Sequence, residues 1–165
     1  MRASTFLAFM ACCTAGAQAQ PADPDLFERM KSLVGEWQAD LPGYGQINNS
    51  IRLVSKGTAI EETIGTPADN ETSVYARDGG RVLLTHFCAL TPDGHQARLA
   101  AAGNGGNRFE FTLVGAGNLH GRAAPHMRRV VLTFQDGDHF NEKWTMSKNG
   151  VDTVFDLGFV RLGLH

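Results

Sequence analysis

The chain has 165 residues, 42% of them hydrophobic, and 15 Lys and Arg against 17 Asp and Glu give a formal net charge of -2. That length allows one domain, or one domain behind a processed leader. Acids and bases are interspersed, which argues against nucleic acid or an anionic membrane as the main partner, since either leaves a basic stripe.

Residues 1–19 read as a removable signal peptide. Met1-Arg2 is a short positive start, Phe6-Leu7-Ala8-Phe9-Met10-Ala11 an apolar centre, and Ala15-Gly16-Ala17 or Ala17-Gln18-Ala19 a small-residue cleavage site. The competing readings are a helix belonging to the fold or a membrane anchor. The apolar run falls short of the ~20 residues a spanning helix needs, and no other segment comes close. A periplasmic or secreted protein without a transmembrane segment is the expectation. Phe9-Met10-Ala11-Cys12 is a poor match to a lipoprotein site. Cleavage removes Cys12 and Cys13 and leaves Cys88, so no intramolecular disulfide can form. The remaining domain of about 145 residues must rest on core burial, which at that size covers roughly 70% of the unfolded surface.

Residues 20–34 form a linker and a short helix, capped by Asp23 or Asp25, with Leu26, Phe27, Met30, Leu33 and Val34 at helical spacing and Gly35 ending it. Residues 35–165 then read as a single β domain, with turn signals about every 8–12 residues. Strands are expected from Gly35 through Gln38, over 47–55 (Ile47, Ile51 and Leu53 on one face), 59–64 and 73–77. Asp78-Gly79-Gly80 makes a hairpin into the stretch Arg81-Val82-Leu83-Leu84-Thr85-His86-Phe87-Cys88-Ala89-Leu90. There Val82, Leu84, His86, Cys88 and Leu90 share one face, which puts an imidazole and a thiol in an apolar row. Both faces of this strand look at least half-buried. Pro92-Asp93-Gly94 turns the chain into 95–102, which carries Arg98.

Gly103-Asn104-Gly105-Gly106-Asn107 lacks the Lys-Ser/Thr and the helix of a phosphate loop and reads as a hairpin loop. Phe109, Phe111 and Leu113 alternate, 115–125 is a glycine-rich irregular loop suited to a mobile rim, and 130–134 resumes the sheet. Phe140, Glu142, Trp144 and Met146 share a face, Asn149-Gly150 is a strong hairpin signal, and 151–162 is the last strand. About ten strands with short connections predict an all-β, up-and-down antiparallel barrel, with an open two-sheet sandwich as the alternative.

A short helix followed by Gly35-Glu36-Trp37 resembles the Gly-X-Trp signature of the calycins, the lipocalin and fatty-acid-binding-protein superfamily. That resemblance implies a tryptophan plugging the closed end of the barrel, here Trp37, and a basic residue on a late strand covering it, here Arg161. Leu33 through Trp37, Gly57 through Thr63, Tyr75 through Gly79 and Leu84-Thr85-His86-Phe87-Cys88 also resemble a family of small exported bacterial lipocalin-like proteins of unestablished function. A Gly-Asn-Gln-Pro-Arg segment follows the cysteine in those relatives. Thr91-Pro92-Asp93-Gly94-His95-Gln96-Ala97-Arg98 stands here instead, so a function tied to that loop does not carry over, with Arg98 the position that can correspond.

The preferred reading is a non-catalytic binding module for a small, mostly apolar or amphipathic molecule. Its polar contacts would come from Glu62, His86, Arg98, Glu142 and Arg129, and its wall from Phe109, Phe111, Phe140, Trp144 and Met146. The bland counterpart is a barrel filled by its own side chains, a structural or partner-binding protein. In that case His86 is a core histidine bonded to a carboxylate such as Glu62, and Cys88 a small buried hydrophobe. His86 and Cys88 could instead share a metal, completed by Glu62, Glu142 or His139, or His86 or His139 could ligate haem. Nucleophilic catalysis by Cys88 with His86 as base is a thinner reading, and no hydrolase or zinc-protease motif accompanies it. Neither a cofactor nor an oligomeric state is legible.

Overall fold

The computed structural model describes residues 25–89, 94–101, 106–121 and 123–163. Residues 1–19, expected to be a signal peptide, residues 20–24, Leu90, the turn at Pro92 and Asp93, Ala102 and most of the 103–107 loop lie outside the described residues. Within them Leu26–Met30 forms helix α1, continued by a 3-10 turn at Lys31–Leu33. Ten strands follow: β1 (Gly35–Leu41), β2 (Gly45–Val54), β3 (Ala59–Thr66), β4 (Asp69–Asp78), β5 (Arg81–Cys88), β6 (His95–Ala101), β7 (Arg108–Gly117), β8 (His126–Phe134), β9 (His139–Lys148) and β10 (Val151–Arg161). Each pairs antiparallel with its neighbours in the chain, and β1 pairs with β10 to close the barrel. The open sandwich is thereby excluded.

Short connections force this order, because two-residue hairpins leave a strand nowhere to go but back along its predecessor. Asn149 and Gly150 sit at φ 54° and 76°, the positive pair that a right-twisted hairpin demands. Period-two alternation then sorts the side chains. On β5 Val82, Leu84, His86 and Cys88 are buried inside, whereas Phe87 on the opposite face is 45% exposed, so the outer face of this strand is wetter than its composition suggests. Outward-facing charges pair across strands, Arg129 with Glu110 and Lys143 with Asp156. The apolar side of the sheet is therefore the inner one, the reverse of a barrel that faces lipid. Among the described residues no helix is long and apolar enough to cross a membrane.

Several strands extend beyond their sequence signals, among them β4, β7 and β8, which begins at His126 and not at Val130. β4 begins at Asp69, since Glu71 and Ser73 continue the inward row of Tyr75 despite being polar. β7 runs through Gly117, which shortens the irregular loop expected at 115–125. Arg98 faces Gly115 and Gln96 faces Gly117 across the β6–β7 ladder, and their side chains occupy the space that a Cβ at either glycine would need. These glycines are strand residues kept bare to let long neighbours lie across them. Leu53, expected inside with Ile47 and Ile51, is exposed where β2 runs into its final turn.

The helix stoppers one end. Asp25 caps α1 by accepting from the Glu28 amide, and Leu26, Phe27, Met30 and Leu33 are buried against the barrel. Trp37 stands under this plug and donates from Nε1 to the Leu33 carbonyl at 2.7 Å. The Arg161 guanidinium lies 3.9 Å above the indole centroid and donates to the carbonyls of Val34, Ser32 and Gly137. Gly35 does not end the helix, since Val34 closes the 3-10 turn and Gly35 opens β1. Its role is different: at φ 144° a Cβ there would come within 2.6 Å of the guanidinium. Below the plug, Phe140 meets Trp37 edge-on at 4.7 Å and stacks on Phe159 at 4.9 Å, while Phe109 packs edge-on against Phe134. This half of the barrel is filled with rings.

Candidate functional site

Above the aromatic floor the lining turns polar. Asn49, Glu62, Ser73, His86 and Glu142 are buried on the inner faces of five strands. Buried polar groups tend to pair, and these fall into two linked sets, with Asn49 Oδ1 and His86 Nε2 left without a hydrogen bond.

The first set is built on two carboxyls. Glu62 accepts from Asn49 Nδ2 at 2.6 Å and from the Tyr75 hydroxyl at 2.7 Å, and it shares a further hydrogen bond with Glu142. Trp144 Nε1 donates to Glu142 Oε2 at 2.9 Å. Burial, reinforced by the adjacent Glu62 charge, pushes the Glu142 carboxyl well above the ordinary 4.5. Two carboxylates cannot both stay ionised in so dry a place. Glu142 is therefore the carboxyl that favours the proton, and in that form it can donate to Glu62, which already accepts from two other donors. Burial and the same acidic neighbours push Tyr75 up as well, so its hydroxyl stays a donor.

The second set surrounds His86, which is 1% exposed. Its Nδ1 lies 3.1 Å from Ser73 Oγ, and its ring lies against Trp144, centroids 4.6 Å apart and tilted by 36°. Its Nε2 points at Glu71 Oε2, 3.3 Å away, yet makes no well-aligned hydrogen bond. The separation is short, but the angle is poor. The other carboxylate oxygen accepts from the Ala89 amide at 2.9 Å and from Cys88 Sγ at 3.4 Å. Burial works to raise the Glu71 carboxyl, but the His86 ring and these donors outweigh it, leaving Glu71 below its usual value. One donor atom each from Glu71, His86 and Cys88 lies within 4.8 Å of the other two.

The histidine's carboxylate partner is thus Glu71 on β4, not Glu62, which lies one strand further round on β3. The thiol is directed at Glu71 and not at the imidazole, which disfavours a Cys88–His86 nucleophile and base pair.

A cavity of about 140 Å³ opens at the end of the barrel away from the helix. Leu41, Ile47, Ile64, Phe155 and Leu157 give it apolar walls, Tyr44 stands at its rim, and Trp144 and Glu71 join it to the polar lining below. It lies at the open end because the strands carry large rings near the plug and smaller aliphatic residues near the mouth. Trp144 is the one residue that belongs to both the cavity and the two polar sets.

Of the residues singled out from sequence, Glu62, His86, Glu142, Trp144 and Cys88 come together inside the barrel. Arg98 does not: it falls between the inward Ala97 and Leu99 and lies across Gly115 on the outer wall. Arg129 likewise points outward to Glu110. His139 sits exposed at the plugged end against Asp136, too far round the fold to serve as a third ligand or an axial histidine. Phe109, Phe111 and Phe140 belong to the packed floor, whereas Met146 is only partly buried. Glu71, Ser73, Asn49 and Tyr75 were not anticipated. The alternation of Glu71, Ser73 and Tyr75 was the available signal, since two polar residues in step with an inward tyrosine mark a polar inner row.

No protein-family model matches the chain, and no curated protein matches it in sequence.

Proposed function

We propose that this protein is a lipocalin-like carrier that binds a small, mostly apolar molecule in the mouth of its barrel and does no covalent chemistry on it. The observation that carries this reading is the cavity itself: five aliphatic or aromatic walls above a polar lining that Trp144 and Glu71 join to it. Apolar voids of ~150 Å³ in proteins stay dry and accept molecules of the size of benzene. The Glu71 carboxylate at the base of the cavity would receive a hydrogen-bond donor or cationic end of such a ligand. Removal of residues 1–19 and a periplasmic or secreted location belong to the same proposal, supported by the leader pattern. Haem finds less support, because a pocket of about 140 Å³ is small beside the ~300–1,000 Å³ of drug-sized sites.

The test is calorimetric titration with a panel of small aromatics, medium-chain alcohols and medium-chain amines, repeated on Ile64→Trp. That substitution fills the cavity from its wall without touching the bonded polar groups. Binding of at least one probe that falls by more than about tenfold, or ~1.4 kcal/mol, in the variant is the expected result. Failure of every probe to bind, or equal binding by the filled barrel, refutes the reading.

A further inference from the structure

We propose that Glu71, His86 and Cys88 form a binding site for one borderline divalent cation, Zn²⁺ being the best chemical fit. The proposal does not depend on the carrier reading, since it concerns the lining beneath the cavity.

Three features support it. The first is spacing. Around a tetrahedral zinc with ordinary N, O and S bond lengths, ligand atoms stand about 3.4–3.6 Å apart. Here Glu71 Oε2 is 3.3 Å from His86 Nε2, and Glu71 Oε1 is 3.4 Å from Cys88 Sγ. All three donors fall within 4.8 Å of one another, so rotations of these side chains, the histidine and cysteine included, would bring them onto one ion. The fold produces this directly. Glu71 and Ser73 are alternate inward residues of β4, His86 and Cys88 are alternate inward residues of β5, and Ser73 sits opposite His86 in register.

The second is the state of the imidazole. Nε2 is buried without an aligned hydrogen bond, although nearly all polar groups in such places have one. Ser73 Oγ holds Nδ1, and with that nitrogen as the N–H donor the Nε2 lone pair is left to bind an ion. A ligating histidine usually has its second nitrogen held in this way, and Ser73 supplies that support. Trp144 fixes the plane of the ring, and the Ala89 amide orients the carboxylate.

The third is donor chemistry. One thiolate, one imidazole and one carboxylate exclude Ca²⁺ and Mg²⁺, which want oxygen alone, and suit zinc better than Cu(I). Three protein ligands leave a fourth position, and of the three Glu71 also borders the cavity. Such a centre has the composition of an open zinc site and not a closed structural one. Binding converts the Cys88 thiol, now donating to Glu71, into a metal-bound thiolate and releases its proton to solvent.

The experiment uses the untagged full chain carrying Cys12→Ser and Cys13→Ser, so that Cys88 is the sole thiol, kept reduced. Co²⁺ is added as a spectroscopic stand-in, and Zn²⁺ is titrated by calorimetry. One ion per chain is expected, with a thiolate-to-cobalt charge-transfer band and the intense visible bands of a four-coordinate ion, displaced by Zn²⁺. Cys88→Ser abolishes the charge-transfer band. Glu71→Gln and His86→Gln each weaken Zn²⁺ binding by roughly tenfold or more, and Ser73→Ala, acting through the ring it holds, weakens it by about 10–100-fold. Glu110→Gln on the outer wall changes nothing. Circular dichroism establishes that each variant is folded. Should His86→Gln fail to fold, Glu71→Gln and Ser73→Ala decide the matter. Absence of the cobalt bands overturns the proposal. So does binding that survives Glu71→Gln and Ser73→Ala undiminished, which marks an adventitious thiol adduct.

Discussion

Replacing Glu142 by glutamine tests the assignment of the shared proton. In the native barrel burial and the Glu62 charge favour a protonated Glu142, which accepts from Trp144 and can donate to Glu62. A glutamine keeps both contacts, its amide nitrogen donating and its oxygen accepting, and has no proton to lose. The folded protein holds a proton that the unfolded chain releases above about 4.5. Because the unfolded state binds fewer protons over that interval, unfolding becomes easier as pH rises. Stability from this group is complete below 4.5 and declines by about 1.4 kcal/mol per pH unit until the raised folded value is passed. Glu142→Gln removes that slope. Urea unfolding of both proteins at several pH values above about 4.5 should therefore show the variant gaining on the wild type as pH rises, by up to about 1.4 kcal/mol per unit until the raised folded value is passed. Taking the difference cancels the titration of the surface carboxylates, which both proteins share. Parallel stability curves, or a variant that loses ground as pH rises, would refute the shared proton.

The plugged end yields two further tests. Gly35→Ala sets a Cβ against the Arg161 guanidinium at a backbone angle that side chains avoid, and should lower stability by about 2–3 kcal/mol in urea unfolding. Unchanged stability would mean that the guanidinium is not held where it is described. Arg161→Met keeps an apolar stem over Trp37 but removes the charge and the donors to three carbonyls. A loss of about 2–4 kcal/mol is expected, seen as a lower thermal midpoint together with altered Trp37 emission, while mouth binding persists.

The barrel was legible because its evidence is local. Asn149-Gly150, Asp78-Gly79-Gly80 and the alternation of Phe109, Phe111 and Leu113 each declare a turn or a face without reference to distant chain. Gly35, Trp37 and Arg161 could be placed together because both ends of the chain carry recognisable positions. The polar lining was half legible. His86, Cys88, Glu62 and Glu142 each interrupt an apolar row, and a charged or polar residue in such a row must have a partner inside. Which partner depends on register around the barrel, and a single strand says nothing of that. Hence Glu62 was matched to His86, although Glu71 stands on the adjoining strand and Glu62 faces Asn49 and Tyr75. Arg98 was misplaced for a related reason. Its strand reads His-Gln-Ala-Arg-Leu, and only the burial of Ala97 and Leu99 shows which of two alternating sets faces in.

The seam that closes the sheet is unevenly laced. Between β1 and β10 Trp37 with Arg161 and Gln38 with Val160 are in register, whereas β9 and β10 are paired along ten positions. Near the mouth side chains also join this seam, Tyr44 resting edge-on against Phe155 at 6.0 Å. Leu41, Phe155 and Leu157 come from the same two strands and wall the cavity. Closure there rests on ring packing as well as on ladder rungs, so the strands that complete the barrel are also the ones that shape its pocket.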